Sequence, residues 1–241
     1  MGFKDFIIDS IKYSFQNKMT FLVFGLLLVA LAFLPDFMEI IFEPLKLLES
    51  SPVVLIGLLI SFILLMIQGG YLSKVLEDLL EGSDVIPKFQ FNDIILHIKE
   101  GIKDIILCLY YTIPIFLLLL LPETIGEDLY LILMFIILFL FYLFCLLLFV
   151  AIPYTVIDSY KKTFNIIYIF KKARQIGFKR LNVAFILALI IVAIISSIVM
   201  TNTDPITTAI MVVIGFFLYP MLAIMEVRYI ALIGREAKNK K

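Results

Sequence analysis

Residues 129–157 read LYLILMFIILFLFYLFCLLLFVAIPYTVI, with Asp128 and Asp158 as the first charges on either side. Crossing the hydrocarbon core of a bilayer takes about 20 consecutive apolar residues. This run exceeds that length without a single ionisable Asp, Glu, Lys or Arg. Inside lipid no water is present to satisfy backbone N–H and C=O groups, so the segment must satisfy them itself as a helix. The strict apolar–polar alternation of a membrane β-barrel is absent from it.

Working outward, five more charge-free runs approach or exceed the same length: Met19–Pro35, Ser50–Ser73, Ile105–Pro122, Leu181–Thr203 and Pro205–Met225. The expected fold is therefore an all-α integral membrane protein. It forms a single polytopic domain over 1–241, with six transmembrane helices near 19–35, 52–72, 105–122, 131–155, 182–201 and 206–226. Composition agrees. The 241 residues are 63% apolar with a mean hydropathy of +1.10, against about 45–50% apolar for soluble domains. Ala30-Leu31-Ala32 fits the small-residue pattern of a signal-peptide cleavage site. However, the segment before it carries Asp5 and Asp9, and the apolar run continues through Phe33 and Leu34. The run is read as a retained span.

Net charge is zero, which offers no bulk attraction to nucleic acid. The distribution of charge is more informative. Lys4, Lys12 and Lys18 precede the first run. Lys74, Lys88, Lys99 and Lys103 lie between the second and third. Between the fourth and fifth lie Lys161, Lys162, Lys171, Lys172, Arg174, Lys179 and Arg180. After the sixth come Arg228, Arg235, Lys238, Lys240 and Lys241. The intervening segments, residues 36–49, Glu123–Asp128 and Asp204, contain only Lys46. Nineteen of the twenty basic residues thus occupy alternate segments, which the positive-inside rule places in the cytoplasm. The expected location is the cell membrane, multi-pass, with N- and C-termini cytoplasmic.

Each basic segment that precedes a pair of spans contains an amphipathic stretch. In the first, Phe3, Phe6, Ile7, Ile11 and Phe15 share a helical face, apart from Lys4, Asp5, Asp9, Lys12 and Gln16. In the second, Phe91, Ile94, Ile95, Ile98 and Ile102 form the stripe, with Asp93, His97, Glu100 and Asp104 facing away. In the third, Ile166, Ile169, Phe170, Ala173 and Gly177 align, against Lys171, Lys172, Arg174, Gln175 and Lys179. The units recur near 3–72, 88–157 and 164–233, which suggests a three-fold internal repeat of hairpins, each preceded by a cytoplasmic amphipathic helix. Two placements satisfy the pattern: helices lying on the inner leaflet, or helices packed beneath the bundle as connectors.

The stretch Asp9-Ser10-Ile11-Lys12-Tyr13 leads toward the first span. Gly69-Gly70-Tyr71-Leu72 closes the second, followed by Glu81-Gly82-Ser83-Asp84 and Pro87-Lys88-Phe89. Phe170-Lys171-Lys172 and the run from Gly177 into the fifth span continue the outline. In these features, over nearly the whole chain, the sequence resembles an uncharacterised family of archaeal and bacterial multi-pass membrane proteins, domain of unknown function 4013. The resemblance implies a six-helix membrane protein without an assigned activity, and it supplies no catalytic residues.

Candidate functional residues are few. Cys108 and Cys145 lie in apolar runs and read as buried, reduced side chains. The one histidine, His97, is expected to be cytoplasmic and interfacial. No nucleophile–base pair, cofactor motif or metal-ligand spacing stands out, so the expected protein is not an enzyme, with no catalytic, cofactor-binding or metal residues. Pro114, Pro153 and Pro220 sit inside spans and invite kinks. Gln68, beside Gly69-Gly70, is the most conspicuous polar residue near membrane depth, where the glycines allow close helix approach. Glu226 and Arg228 are expected near headgroups. Tyr110, Tyr111, Tyr130, Tyr154 and Tyr219 are candidate interface anchors. Lys171, Lys172, Arg174, Lys179 and Arg180 are the candidate lipid-headgroup contacts, the partners being membrane lipids and in particular anionic inner-leaflet lipid. The leading expectation is a non-enzymatic membrane scaffold, assembly or lipid-interacting protein. The alternative is a small transporter or channel for a neutral or apolar solute, since the runs hold no midplane charge for an ionic one.

Overall fold

A computed structural model of the chain describes residues 3–27, 29–30, 51–119, 127–200 and 205–239. The acidic segment 36–49, the turn at Glu123–Gly126 and Asp204 lie outside the described residues, as do the side chains of Phe3, Phe6, Ile7, Tyr130, Ser196, Ser197, Thr207 and Thr208. The described residues are helical, without a strand. Their α-helices are α1 (Phe3–Ser14), α2 (Lys18–Leu27), α3 (Ser51–Glu81), α4 (Ile94–Leu119), α5 (Glu127–Tyr154), α6 (Ile166–Ile176), α7 (Phe178–Met200) and α8 (Pro205–Asn239).

Three stretches among the described residues are long and apolar enough to cross a membrane: Leu55–Glu81, Ile132–Phe164 and Val213–Arg235. A fourth arises if α6 and α7, bent by 101° at Gly177, form one broken span. The quoted run of residues 129–157 lies in the second of these from Ile132 onward. After Pro153 its α-helix gives way to a π turn at Thr155–Ser159 and a 3-10 turn at Tyr160–Phe164. A proline cannot donate to the preceding turn, and wider or tighter turns are a usual way to absorb such a break.

The chain divides into two compact units, and the division falls within α4, α7 and α8. Unit 1 comprises Met1–Ile102 and Leu187–Arg228. Here α3 and the first turns of α4 cross at backbone distance. A methyl group on Gly70 would sit 1.8 Å from the His97 carbonyl oxygen, and one on Gly101 would sit 2.0 Å from that of Met66. Only hydrogen fits at either position. On α1, Ser14 Oγ donates to the Ser10 carbonyl at 2.9 Å and reaches that of Met221 on α8 at 3.4 Å. Arg228 pairs with Asp9, and its guanidinium lies over the Tyr13 ring at 4.4 Å. Arg228, expected near headgroups, packs against α1 within unit 1. It is buried and neutralised by α1, as a charge withdrawn from water requires.

Unit 2 comprises Lys103–Ile186 and Tyr229–Lys241. Its core joins Leu107 and Tyr111 of α4, Leu146, Val150 and Tyr154 of α5, Ile169, Ala173 and Ile176 of α6, Leu181 of α7 and Ile233 of α8. The non-α connection after α5 is fastened to α4 by three tyrosine hydroxyls. Tyr110 donates to the Phe164 carbonyl (2.8 Å), Tyr111 to that of Thr163 (2.7 Å), and Tyr160 to that of Lys103 (2.9 Å). Carbonyls freed from helical bonding need such partners when buried. Tyr111 and Tyr154 in this core, and Tyr219 in unit 1, are buried rather than lipid-facing anchors; Tyr110 alone of the described four is exposed.

Two further expectations change. The second amphipathic stretch is not a separate helix. It runs through a 3-10 turn at Phe91–Asp93 straight into α4. Its apolar stripe faces outward, with Ile95 81% exposed, while His97 is 4% exposed. The face that packs is the one with the glycine, because Gly101 brings the backbones together.

Candidate functional site

The five basic residues singled out above flank the bend between α6 and α7, within unit 2. Asn165 caps α6 by accepting from the Tyr168 N–H at 3.0 Å, which satisfies one of the donors a helix leaves open at its start. Gly177 ends it at φ 98°, its N–H bonded to the Ala173 carbonyl at 2.9 Å. A side chain is strained in that conformation, so glycine is what permits the 101° change of direction.

One face of α6, carrying Ile169, Ala173 and Ile176, is built into the unit 2 core. The other side has a composition that the sequence pattern alone did not separate. Ile167 is 70% exposed, and Phe170, Lys171 and Arg174 share its surface at helical spacing. Phe178, the first residue of α7, is exposed next to them, its ring 6.1 Å from that of Phe170. Lys179 and Arg180 follow, also exposed. The bend thus presents three apolar side chains rimmed by Lys171, Arg174, Lys179 and Arg180.

Lys172 leaves this group. It is half-buried, with its ammonium 5.7 Å above the Tyr154 ring and 5.6 Å above the Tyr168 ring, and it donates to Gln175 Oε1 at 3.3 Å. A cation held over two ring faces is stabilised where it stands. Its role is to fasten α6 to α5. Tyr168 in turn donates to Asp158, which also accepts from Lys162 Nζ at 2.7 Å. Asp158, expected merely to end the fourth span, is the local counter-charge of this network. Of the five expected contacts, four stay together on the exposed bend and one does not. Ile167 and Phe178 are new members. The i, i+3, i+4, i+7 relation of Ile167, Phe170, Lys171 and Arg174 is the signal that finds the outer face.

In unit 1, the His97 ring stacks on Phe89 (5.5 Å, 28° between planes) and meets Tyr71 edge-on at 5.7 Å. Burial among these rings pushes its pKa below the ordinary histidine value, against the opposing pull of Asp93. Gln68 is 3% exposed, and neither amide atom has a hydrogen-bond partner among the described residues. Cys108 and Cys145 are free thiols. Among the described residues, no group of three or more His, Cys, Asp or Glu is placed to hold a metal ion.

A family model described as protein of unknown function (DUF4013) matches residues 53–203. The chain belongs to that family. The matched region runs from α3 through α7 and contains the α6–α7 bend; the Asp9–Tyr13 stretch lies before it. No curated protein and no solved structure matches the chain.

Proposed function

We propose, from the premise of a family whose model carries no activity, that this chain is a non-enzymatic membrane scaffold that engages the anionic surface of the inner leaflet through the α6–α7 bend. In this reading six spans pair as three hairpins with both termini in the cytoplasm, as the alternation of lysine and arginine requires. The observation that carries the proposal is the outer face of α6. Ile167, Phe170 and Phe178 stand exposed beside Lys171, Arg174 and Lys179, and those three cations have no partner among the described residues. A purely cytosolic face would have little reason to expose that much apolar side chain. An interfacial helix gains from sinking it below the phosphates. Each Lys or Arg near an anionic surface contributes about 1 kcal/mol, within a Debye length of about 8 Å at physiological salt.

The chain has no tryptophan, so Phe170→Trp creates a single indole reporter at the site. The full-length variant is reconstituted in vesicles containing acyl-brominated lipid. The expected result is bromine quenching in vesicles rich in phosphatidylglycerol, reduced by added Lys171→Gln and Arg174→Gln or by high salt. Quenching that is absent, or equal in neutral and anionic vesicles, rejects the proposal.

The buried, unpartnered amide of Gln68 favours a second reading, passage of a neutral solute. Uptake of a neutral polar solute into proteoliposomes, abolished by Gln68→Leu, supports it; uptake no faster than in empty liposomes removes it.

A further inference from the structure

We infer that unit 1 carries a separate phospholipid site, in the cleft between the α1–α2 corner and the 82–90 connection. The cleft has a volume of about 540 Å³, within the range of small-ligand sites. Its walls are fixed by the chain itself. The Gln16 side chain bonds the connection at two points, donating to the Asp84 carbonyl (3.1 Å) and accepting from the Ile86 N–H (3.2 Å). The Tyr71 hydroxyl donates to the Pro87 carbonyl at 2.6 Å, and Thr20 Oγ1 accepts from the Phe89 N–H at 3.3 Å. Asn17 caps α2 through the Thr20 N–H at 3.2 Å.

Two cations line this cleft, Lys18 and Lys88, both exposed and without a partner among the described residues. The one acidic lining residue, Asp78, is already engaged by Lys74 at 3.0 Å. Asp84 stands exposed on the same connection, outside the lining. The cleft therefore presents two uncompensated positive charges to an anion. From Lys18 the apolar helix α2 departs with Met19 64% exposed and with Leu22 and Leu26 exposed on the same side, at i, i+3 and i+7. A cationic cleft that opens onto an apolar stripe matches one amphiphile. The phosphate of an anionic phospholipid sits between Lys18 and Lys88, and its acyl chain lies along Met19, Leu22 and Leu26. The inference rests on the reading above in one respect, that the start of α2 lies at headgroup depth.

The test is native mass spectrometry of the full-length protein released from detergent with added phosphatidylglycerol, with phosphatidylcholine, and with inorganic phosphate. Wild-type protein is expected to retain phosphatidylglycerol selectively. Lys18→Gln with Lys88→Gln should weaken retention roughly thirtyfold, since two headgroup contacts are lost, and Leu22→Asn should weaken it further. Lys18→Gln with Lys88→Gln should leave the bromine quenching of the Phe170→Trp reporter on α6 unchanged, so failure of the α6 reading and failure of this site are told apart. Equal retention by the Lys18/Lys88 variant overturns the inference. So does equal retention of phosphatidylcholine, or displacement of the lipid by inorganic phosphate with no effect of Leu22→Asn, which would assign the cleft to a free phosphate. Both lysines are exposed, and an unchanged melting temperature certifies that the variant is folded.

Discussion

The first turns of α4 and the whole of α6 carry the same kind of sequence signal, an apolar stripe at helical spacing opposite polar residues, yet the two are mounted in opposite senses. In α4 and the turn before it the stripe faces outward, with Phe91, Ile95 and Ile102 exposed, and the helix packs through His97 and Gly101. In α6 the stripe splits. Ile169 and Ala173 enter the core, while Phe170, assigned to the same stripe, joins Ile167 outside. In water an apolar face is reason enough to pack inward. Beside hydrocarbon it is not, because lipid receives leucine and isoleucine as readily as a protein core does. Close approach through small residues decides instead. The α3–α4 crossing has such a contact at Gly70 and Gly101, whereas α6, capped by Asn165 and fastened by Lys172 and Tyr168, packs through Ile169, Ala173 and Ile176.

The largest effect should come from testing the crossing. Gly70→Ala or Gly101→Ala places a methyl group against a backbone carbonyl that no rotamer change can move. Each should cost about 3 kcal/mol, at the upper end of overpacking in a tight core. Ile95→Ala, on the exposed stripe of the same helix, should stay within about 0.5 kcal/mol. Thermal unfolding in detergent, followed by labelling of the free thiols Cys108 and Cys145 with a maleimide dye, reads both. A Gly70→Ala protein that melts with wild type would mean that the helices do not cross here.

A smaller contrast separates two neighbours on α6. Ile169 is fully buried and Ile167 is 70% exposed. Ile169→Ala should cost about 2–4 kcal/mol through lost burial and the cavity left behind; Ile167→Ala should leave the melting temperature nearly unchanged and weaken only the association with anionic vesicles. Equal destabilisation by the two would place the outer face of α6 inside the protein.

How far the sequence reveals these arrangements depends on the range of the interactions. The apolar runs that become Leu55–Glu81, Ile132–Phe164 and Val213–Arg235 are legible because hydropathy is a local property. The Gly69-Gly70 pair is legible as a place of close approach. Its counterpart Gly101 is not, because nothing in a single sequence says which helix faces which. The Asp9–Arg228 pair joins residues 219 positions apart, and no spacing rule reaches so far. Lys171, Arg174, Lys179 and Arg180, charged residues around Gly177, are exposed. The placing of Lys172 over Tyr154 and Tyr168 is not legible, because those paired faces are assembled only when α5 and α6 meet. The Lys18–Lys88 cleft escapes for the same reason.

The subtlest test uses acid on the crossing. Burial lowers the pKa of His97, with Lys74 acting in the same direction and Asp93 and a hydrogen bond to the Gly70 backbone against it. The folded protein therefore holds this ring neutral at pH values where an opened chain protonates it. Above the ordinary value of 6.5 neither state carries the proton and stability is independent of the group. As the pH falls below 6.5 the unfolded chain gains a proton that the fold refuses, so stability declines until the pH passes the lower folded value, and then levels. Wild type should thus melt at a lower temperature at pH 5.5 than at pH 7.5, and His97→Gln should lose that part of the difference while keeping a polar group near Gly70. The Ile167→Ala protein, altered only on α6, should keep the wild-type pH dependence. If His97→Gln and wild type lose the same stability on acidification, the ring is already open to water, and the packed face of α4 is not the one that carries His97.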